Sequence, residues 1–349
     1  MKEQFDFYNS TTIKSYNLDE TIRYQLKMLD GLDAFTRRHS ENVANITCRL
    51  CENLGLSNGF TVYATTCAYL HDIGKIFIPP SVLQKPGRLT DEEYAIMKTH
   101  TTIGYKICMD DLKLRPYAAG ALYHHEGLDG SGYPNGVKGN DIPYEAQIIR
   151  VADEFEAITA KRQYKSHVGI LETLNILIDD ATPKQIKERM QNLGDSVKKG
   201  KDGTIDTPLS NPDALAILAD SAKPRFGPGL FAKQQKYGKI DKRILKALFK
   251  VVIDDTEYEI VARTDYIKFL EKEIERIKKA MTSYNKMMAT RSNEKKEFLR
   301  QEIKYYLKPH EEPEKLPQIL SEFEAALNAR TEHVAKLYHE EKQIKKLVI

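Results

Sequence analysis

The chain has 349 residues, 30% of them charged, and a net charge of only +3. That length accommodates two or three compact units with a full apolar core, and the near-balance of charge provides no global positive field for duplex nucleic acid. MKEQFDFYNSTT lacks a basic head followed by an apolar stretch, and no apolar run approaches the ~20 residues of a membrane span. The expectation is a cytoplasmic protein without a membrane segment.

Residues 1–30 read as a short N-terminal extension, with a helix over 18–30 carrying Ile22, Leu26 and Leu29 at helical spacing. A second helix over 36–54 has Val43, Ile46, Leu50 and Leu54 as its apolar stripe and Gly55 as a stop. Cys48 and Cys51 form a CxxC there, but no second pair stands at zinc-ribbon spacing, so packing is their expected role. Phe60 to Ile73 reads as a third helix that ends in the His71-Asp72 pair. Thr90 and Glu93 make a capping box for the next helix, taken to carry His100. Leu114 to His125 is helical and runs into EGLDGSGYPNGVKGNDIP, too rich in glycine and proline for regular structure. Tyr144 to Arg162 is helical and contains Asp153. Residues 179–212 read as a polar insertion, and 213–253 recover a helical pattern. Lys250–Ile260 is the only stretch rich in β-branched residues.

From 256 onward the sequence changes character. Ile267, Leu270, Ile274, Ile277, Met281, Tyr284 and Met288 step by three and four residues as a heptad seam, which Arg291 and Lys295 interrupt. Pro309, Pro313 and Pro317 mark a turn, and a second seam follows through Leu320, Phe323, Leu327, Val334 and Leu337. The reading is an antiparallel hairpin of two long helices over 256–349. Its apolar faces need either the catalytic bundle or another subunit as a cover, and of the two a homodimer interface is the expected one.

The chemistry lies in His39, His71, Asp72, His100, His124, His125 and Asp153. Imidazole and carboxylate suit first-row divalent metals, and seven such groups are too many for one ion. Two ions sharing a carboxylate account for them, and Asp72, with two oxygens, is suited to bridge. Paired metals activate water for attack on phosphate esters. Lys75 stands four residues after His71, on the same face if the helix continues, where it would stabilise charge developing on a bound phosphate. His167, His310, His333 and His339 fall outside the pattern and are expected at the surface.

HDIGK, HHEGLDGSGYP and VADEFEAIT…KRQYK together resemble the HD-GYP phosphodiesterases, strongly over residues 32–165 and weakly over 214–253. The resemblance implies an all-α HD-type helical bundle with a Gly-rich GYP loop, over residues 31–255. It implies hydrolysis of cyclic di-GMP to pGpG or GMP by a bimetal-activated hydroxide, with iron or manganese as the metals. His39, His71, Asp72 and Asp153 would hold one ion, and Asp72, His100, His124 and His125 the other. Lys75, Arg162 and Lys165 match phosphate-gripping positions, while Gly132, Tyr133 and Pro134 would border the substrate cleft and contact diguanylate cyclases. Phe35 stands where family members with a third metal carry glutamate, which favours two. A silent dinucleotide sensor and a cyclic GMP-AMP phosphodiesterase are the alternatives. The intact ligand set argues against the sensor. The adjacent histidines and the GYP loop argue against an HD hydrolase of mononucleotides or alarmones.

Overall fold

The computed structural model describes residues 34–160, 168–183, 238–309 and 311–348. Every regular element among them is helical, so the fold is all-α as expected. The expected helix at 18–30, Arg162, Lys165, His167, His310 and nearly all of the expected insertion lie outside the described residues. No helix among the described residues is long and apolar enough to cross a membrane.

The chain forms two compact units, Met1–Val251 and Val252–Ile349. In the first, α1 (Ala34–Asn53) and α2 (Asn58–Leu70) pack together and both pack on α7 (Tyr144–Thr159). A short α3 (Pro80–Leu83) and α4 (Asp91–Lys98) lead to α5 (His100–Asp110) and α6 (Ala118–Tyr123), and α8 (Ile170–Ala181) lies on α7. Three of the four stripe residues predicted for α1 are buried, Val43, Ile46 and Leu50, while Leu54 falls just past the helix end and is half-buried. Cys48 and Cys51 are buried free thiols, as their packing role requires. Burial pushes the Cys51 thiol up to about 12, which keeps it protonated.

Three helix boundaries differ from the sequence reading. The third helix ends at Leu70, one residue short of the His71-Asp72 pair, and the chain continues as a 3₁₀ turn over Ile73–Phe77. The Thr90–Glu93 capping box forms, but its helix stops at Lys98, and His100 opens a separate one. The segment from Leu114 begins as 3₁₀ at Arg115–Tyr117 before α6. In the first two cases the break lets a candidate ligand side chain leave from a helix end.

The second unit is built on α9 (Lys242–Ala289), whose start belongs to the first unit. Lys250–Ile260 lies within α9, where the helical apolar pattern overrides its β-branched content. Thr290-Arg291-Ser292 carries no helix, and α10 (Asn293–Tyr306) follows, capped by the Ser292 side chain. The last helix is α11 (Leu316–Val348). The expected two-helix hairpin with a proline turn is therefore corrected. The reversal occurs at 290–292, where charged residues break the seam, and the prolines instead divide the returning arm in two. Ser283 Oγ donates to Glu302, and Arg276 donates to the Tyr306 carbonyl and to Glu311, which places α10 against the end of α9. Ile277 and Ala280 pack on Leu316, and Ile260 packs on Val334 and Leu337, so α11 runs antiparallel down the rest of α9 within this unit.

Candidate metal centre

Five elements converge on one point. His39 projects from α1, His71 and Asp72 follow the end of α2, and His100 begins α5. His124 and His125 follow α6, and Asp153 comes from the middle of α7. All seven sequence-predicted ligands are brought together, with Nε2, Nδ1 or carboxylate oxygens facing inward.

Asp72 lies at the centre, with its two oxygens facing opposite ways. Oδ2 is 3.5 Å from His39 Nε2 and 3.3 Å from His71 Nε2. Oδ1 is 3.4 Å from His100 Nε2 and 3.9 Å from His124 Nε2. Asp153 closes both sides: its Oδ1 is 3.1 Å from His39 Nε2, and its Oδ2 is 3.9 Å from His125 Nδ1. Within the cluster, His39, His71 and Asp153 form one group with ligand atoms inside 4.8 Å, and His100, His124 and His125 form another. Two groups, with a carboxylate oxygen turned to each, fit a pair of cations.

The outer ring nitrogens fix the tautomers. His71 Nδ1 lies 2.6 Å from the Ala68 carbonyl, His100 Nδ1 2.7 Å from the Met97 carbonyl, and His124 Nδ1 3.0 Å from the Gly120 carbonyl. A carbonyl only accepts, so each Nδ1 carries the proton and each Nε2 lone pair is left for a metal. His71 Nε2 and Asp72 Oδ1 are buried and make no hydrogen bond in the protein. Such orphaned polar atoms are costly unless a cation satisfies them.

The electrostatics agree. Burial, reinforced by neighbouring imidazoles, holds His124 well below the usual histidine range and lowers His125 to about 3. Burial likewise lowers His100. All three are thus kept in the neutral, metal-binding form. For Asp72, burial alone would raise the carboxyl, but His71 and Lys75 hold it well below the usual range. Asp153 is lowered against burial by the His39 hydrogen bond and charge. Burial alone would lower His39, yet hydrogen bonds to Asp153, Asp72 and Glu156 raise it.

Lys75 is near the centre by a different route from the one expected. It does not share an α-helical face with His71. The 3₁₀ turn places it three residues after Asp72, and Nζ donates to Asp72 Oδ2 at 2.5 Å. Gly74 in the same turn is forced by close approach, since a Cβ there would lie 2.0 Å from the His100 carbonyl oxygen.

Three contributors escaped the sequence reading. Glu156, three residues after Asp153 and on the same face of α7, contacts His39 Nδ1 through Oε2 at 2.5 Å and accepts from Asn42 at 2.9 Å. Its spacing from Asp153 was the available signal. Glu126, directly after the histidine pair, accepts from the backbone N–H groups of Asn135 and Gly136 and so ties down the GYP loop. Arg150 donates to the carbonyls of His125 and Glu126.

In the loop, Tyr133 stacks on His125 with ring centroids 4.7 Å apart, and its N–H donates to the His125 carbonyl. Gly132 passes so close that a Cβ would meet the Gly127 nitrogen at 2.3 Å. The Tyr133-Pro134 bond is cis.

A carboxylate on the outer nitrogen of a ligating histidine fixes the ring and raises its basicity, and losing one typically costs about 10–100-fold in metal affinity. Glu156→Ala is expected to show that loss on the His39 side alone. Stepwise chelator titration of the loaded protein would show one ion released early. Unchanged release of both would remove Glu156 from the site.

A family model described as HD domain matches residues 23–185. The chain is 47% identical over 136 residues to a cyclic di-GMP phosphodiesterase of Thermotoga maritima, covering 38% of this chain and 37% of that protein. It is 41% identical over 148 residues to the cyclic di-GMP phosphodiesterase response regulator RpfG of Xanthomonas campestris pv. campestris, covering 42% and 39%. It is 35% identical over 151 residues to the 3'3'-cGAMP-specific phosphodiesterase 3 of Vibrio cholerae, covering 43% and 33%. The chain thus spans less than two fifths of the length of each of these relatives.

Proposed function

We propose that residues 23–185, which match the HD-domain model, form an HD domain of the HD-GYP kind, and that the protein hydrolyses cyclic di-GMP to pGpG, GMP or both in a metal-dependent reaction. The observation that carries the proposal is Asp72, with one oxygen turned to His39 and His71 and the other to His100 and His124. His39, His71, Asp72 and Asp153 would hold one divalent ion, and Asp72, His100, His124 and His125 the second. Their mixture of neutral imidazole and carboxylate suits iron or manganese.

Two ions bound there supply Lewis-acid charge and make water a stronger nucleophile at neutral pH. The chain's own groups do the rest. The Lys75 ammonium, 20% exposed beside the cluster, places a positive charge where a phosphodiester would sit. Arg162 and Lys165 are proposed to add phosphate contacts. Gly132, Tyr133 and Pro134 are proposed to form the cleft wall, with Tyr133 covering His125, and to meet a diguanylate cyclase. The compartment proposed is the cytoplasm.

Purification without oxygen, elemental analysis, and chromatography of the products from manganese- or iron-loaded protein form the test. Two ions per chain and linear product support the proposal, and a fully loaded protein that turns over no cyclic dinucleotide overturns it. Cyclic GMP-AMP is the second substrate to include, because the Vibrio cholerae relative is specific for it.

The second unit is proposed as a homodimer interface. Val261, Tyr266 and Phe269 on α9 remain 56%, 44% and 46% exposed, more apolar surface than a solvent-facing helix needs. Removal of residues 257–349 is expected to leave a monomer with its metals, since every ligand lies earlier in the chain. Light scattering of both forms decides it, and an unchanged oligomeric state excludes this interface.

A further inference from the structure

The cluster opens on one side. Six of its seven ligands are buried, whereas the side chain of His125 is 26% exposed. Tyr133 stacks on that exposed ring, and beyond Tyr133 stand two residues of α4 that the site described above does not use. Tyr94 meets Tyr133 edge to face with centroids 6.3 Å apart and is 46% exposed. Lys98 Nζ lies 5.0 Å from the centroid of Tyr94 and 5.9 Å from that of Tyr133.

Two rings therefore hold this ammonium, and among the described residues no carboxylate pairs with it. Cation–π contact orients a charge without neutralising it. An ammonium carries three donors and no acceptor, so its unmet need is for an anionic oxygen. Several exposed lysines among the described residues meet that need within a turn of helix, as Lys268 does with Asp265 and Lys336 with Glu332. Lys98 is instead fixed one ring away from a metal ligand.

A cyclic dinucleotide has two phosphodiesters, and a site with one pair of cations reacts at one of them. We infer that Lys98, held by Tyr94 and Tyr133, binds the second, non-reacting phosphodiester of the substrate and so selects for a cyclic dinucleotide over a simple phosphodiester. The inference rests on the function proposed above. Lys98 is the binding residue, and Tyr94 positions it.

The test uses full-length, manganese-loaded protein and three substrates: cyclic di-GMP, cyclic GMP-AMP and the single phosphodiester bis(p-nitrophenyl) phosphate. Lys98→Met keeps helix propensity and stem length while removing the charge. It is expected to raise KM about tenfold for both dinucleotides, the scale of one charge-assisted hydrogen bond, with kcat and metal content held. KM for the single ester should move less than about twofold, Lys98→Arg should restore most of the lost affinity, and Tyr94→Leu should give an intermediate rise. Equal effects on the single ester and the dinucleotides, or no effect on any, overturn the inference. A change confined to cyclic di-GMP would mean that Lys98 reads a base, and also overturns it. If wild-type protein cleaves the single ester but neither dinucleotide, the proposed function itself fails, an outcome distinct from the others.

Discussion

Asp72→Ala is expected to lose both metal ions, not one. Its Oδ2 faces His39 and His71 and its Oδ1 faces His100 and His124, so one substitution removes a ligand from each half of the centre. The side chain is fully buried, and no neighbouring carboxylate takes over both directions: Asp153 reaches His39 with one oxygen but lies 3.9 Å from His125 with the other. Loss of an outer-sphere partner alone costs about 10–100-fold in affinity, and loss of a shared ligand should exceed that at each ion. Elemental analysis after dialysis reads the result, with circular dichroism to confirm the helical fold. Retention of two ions per chain would show that Asp72 does not bridge. Retention of one would assign it to a single side.

Lys75→Ala is expected to lower turnover by about two orders of magnitude, the usual loss when one charge partner of a transition state is removed. Metal content should not fall. Lys75 donates to the same Asp72 oxygen that faces His39 and His71, so the ammonium competes with a cation for that atom. Removing it relieves the competition, and binding on that side should hold or tighten. Single-turnover rates on loaded protein separate chemistry from binding. Near-normal rates would remove Lys75 from the reaction, and metal loss would make it a support for Asp72. Lys75→Arg keeps the charge, but its broader planar head does not reproduce a point-charge donor, so partial rescue is the expected outcome.

The resemblance to HD-GYP proteins rests on short runs of sequence, and the structure shows what those runs place at the candidate site. HDIGK places two candidate ligands just beyond a helix end. Its glycine admits the His100 carbonyl at a distance no side chain would allow. HHEGLDGSGYP supplies two candidate ligands, the glutamate that ties down its own loop, and the tyrosine that covers the exposed imidazole.

Much of this protein was legible before any coordinates. The stripe of α1, the Thr90–Glu93 capping box and the seam of α9 are local patterns, set by residues within a turn or two of one another. The candidate ligands were legible too, because imidazole and carboxylate in that number and order serve few other chemistries, and the structure brings all seven together. What tertiary structure decided was direction and partnership. Glu156 is an ordinary helix residue until α7 packs on α1 and brings it to His39, 117 positions away. Lys75 stands three or four residues from either member of the His71-Asp72 pair. Only the change from α-helix to 3₁₀ turn after Leu70 aims it at Asp72 rather than along the face of His71. In the second unit the prolines announced a break but not which one. Arg291 sits where the chain reverses and Lys295 in the first turn of the helix that follows, because a reversal at the end of a long helix exposes its seam to water, and cations tolerate those positions where leucines would not. Local spacing determines which residues form helices and which carry chemistry, whereas packing between distant helices determines which atoms of those residues meet.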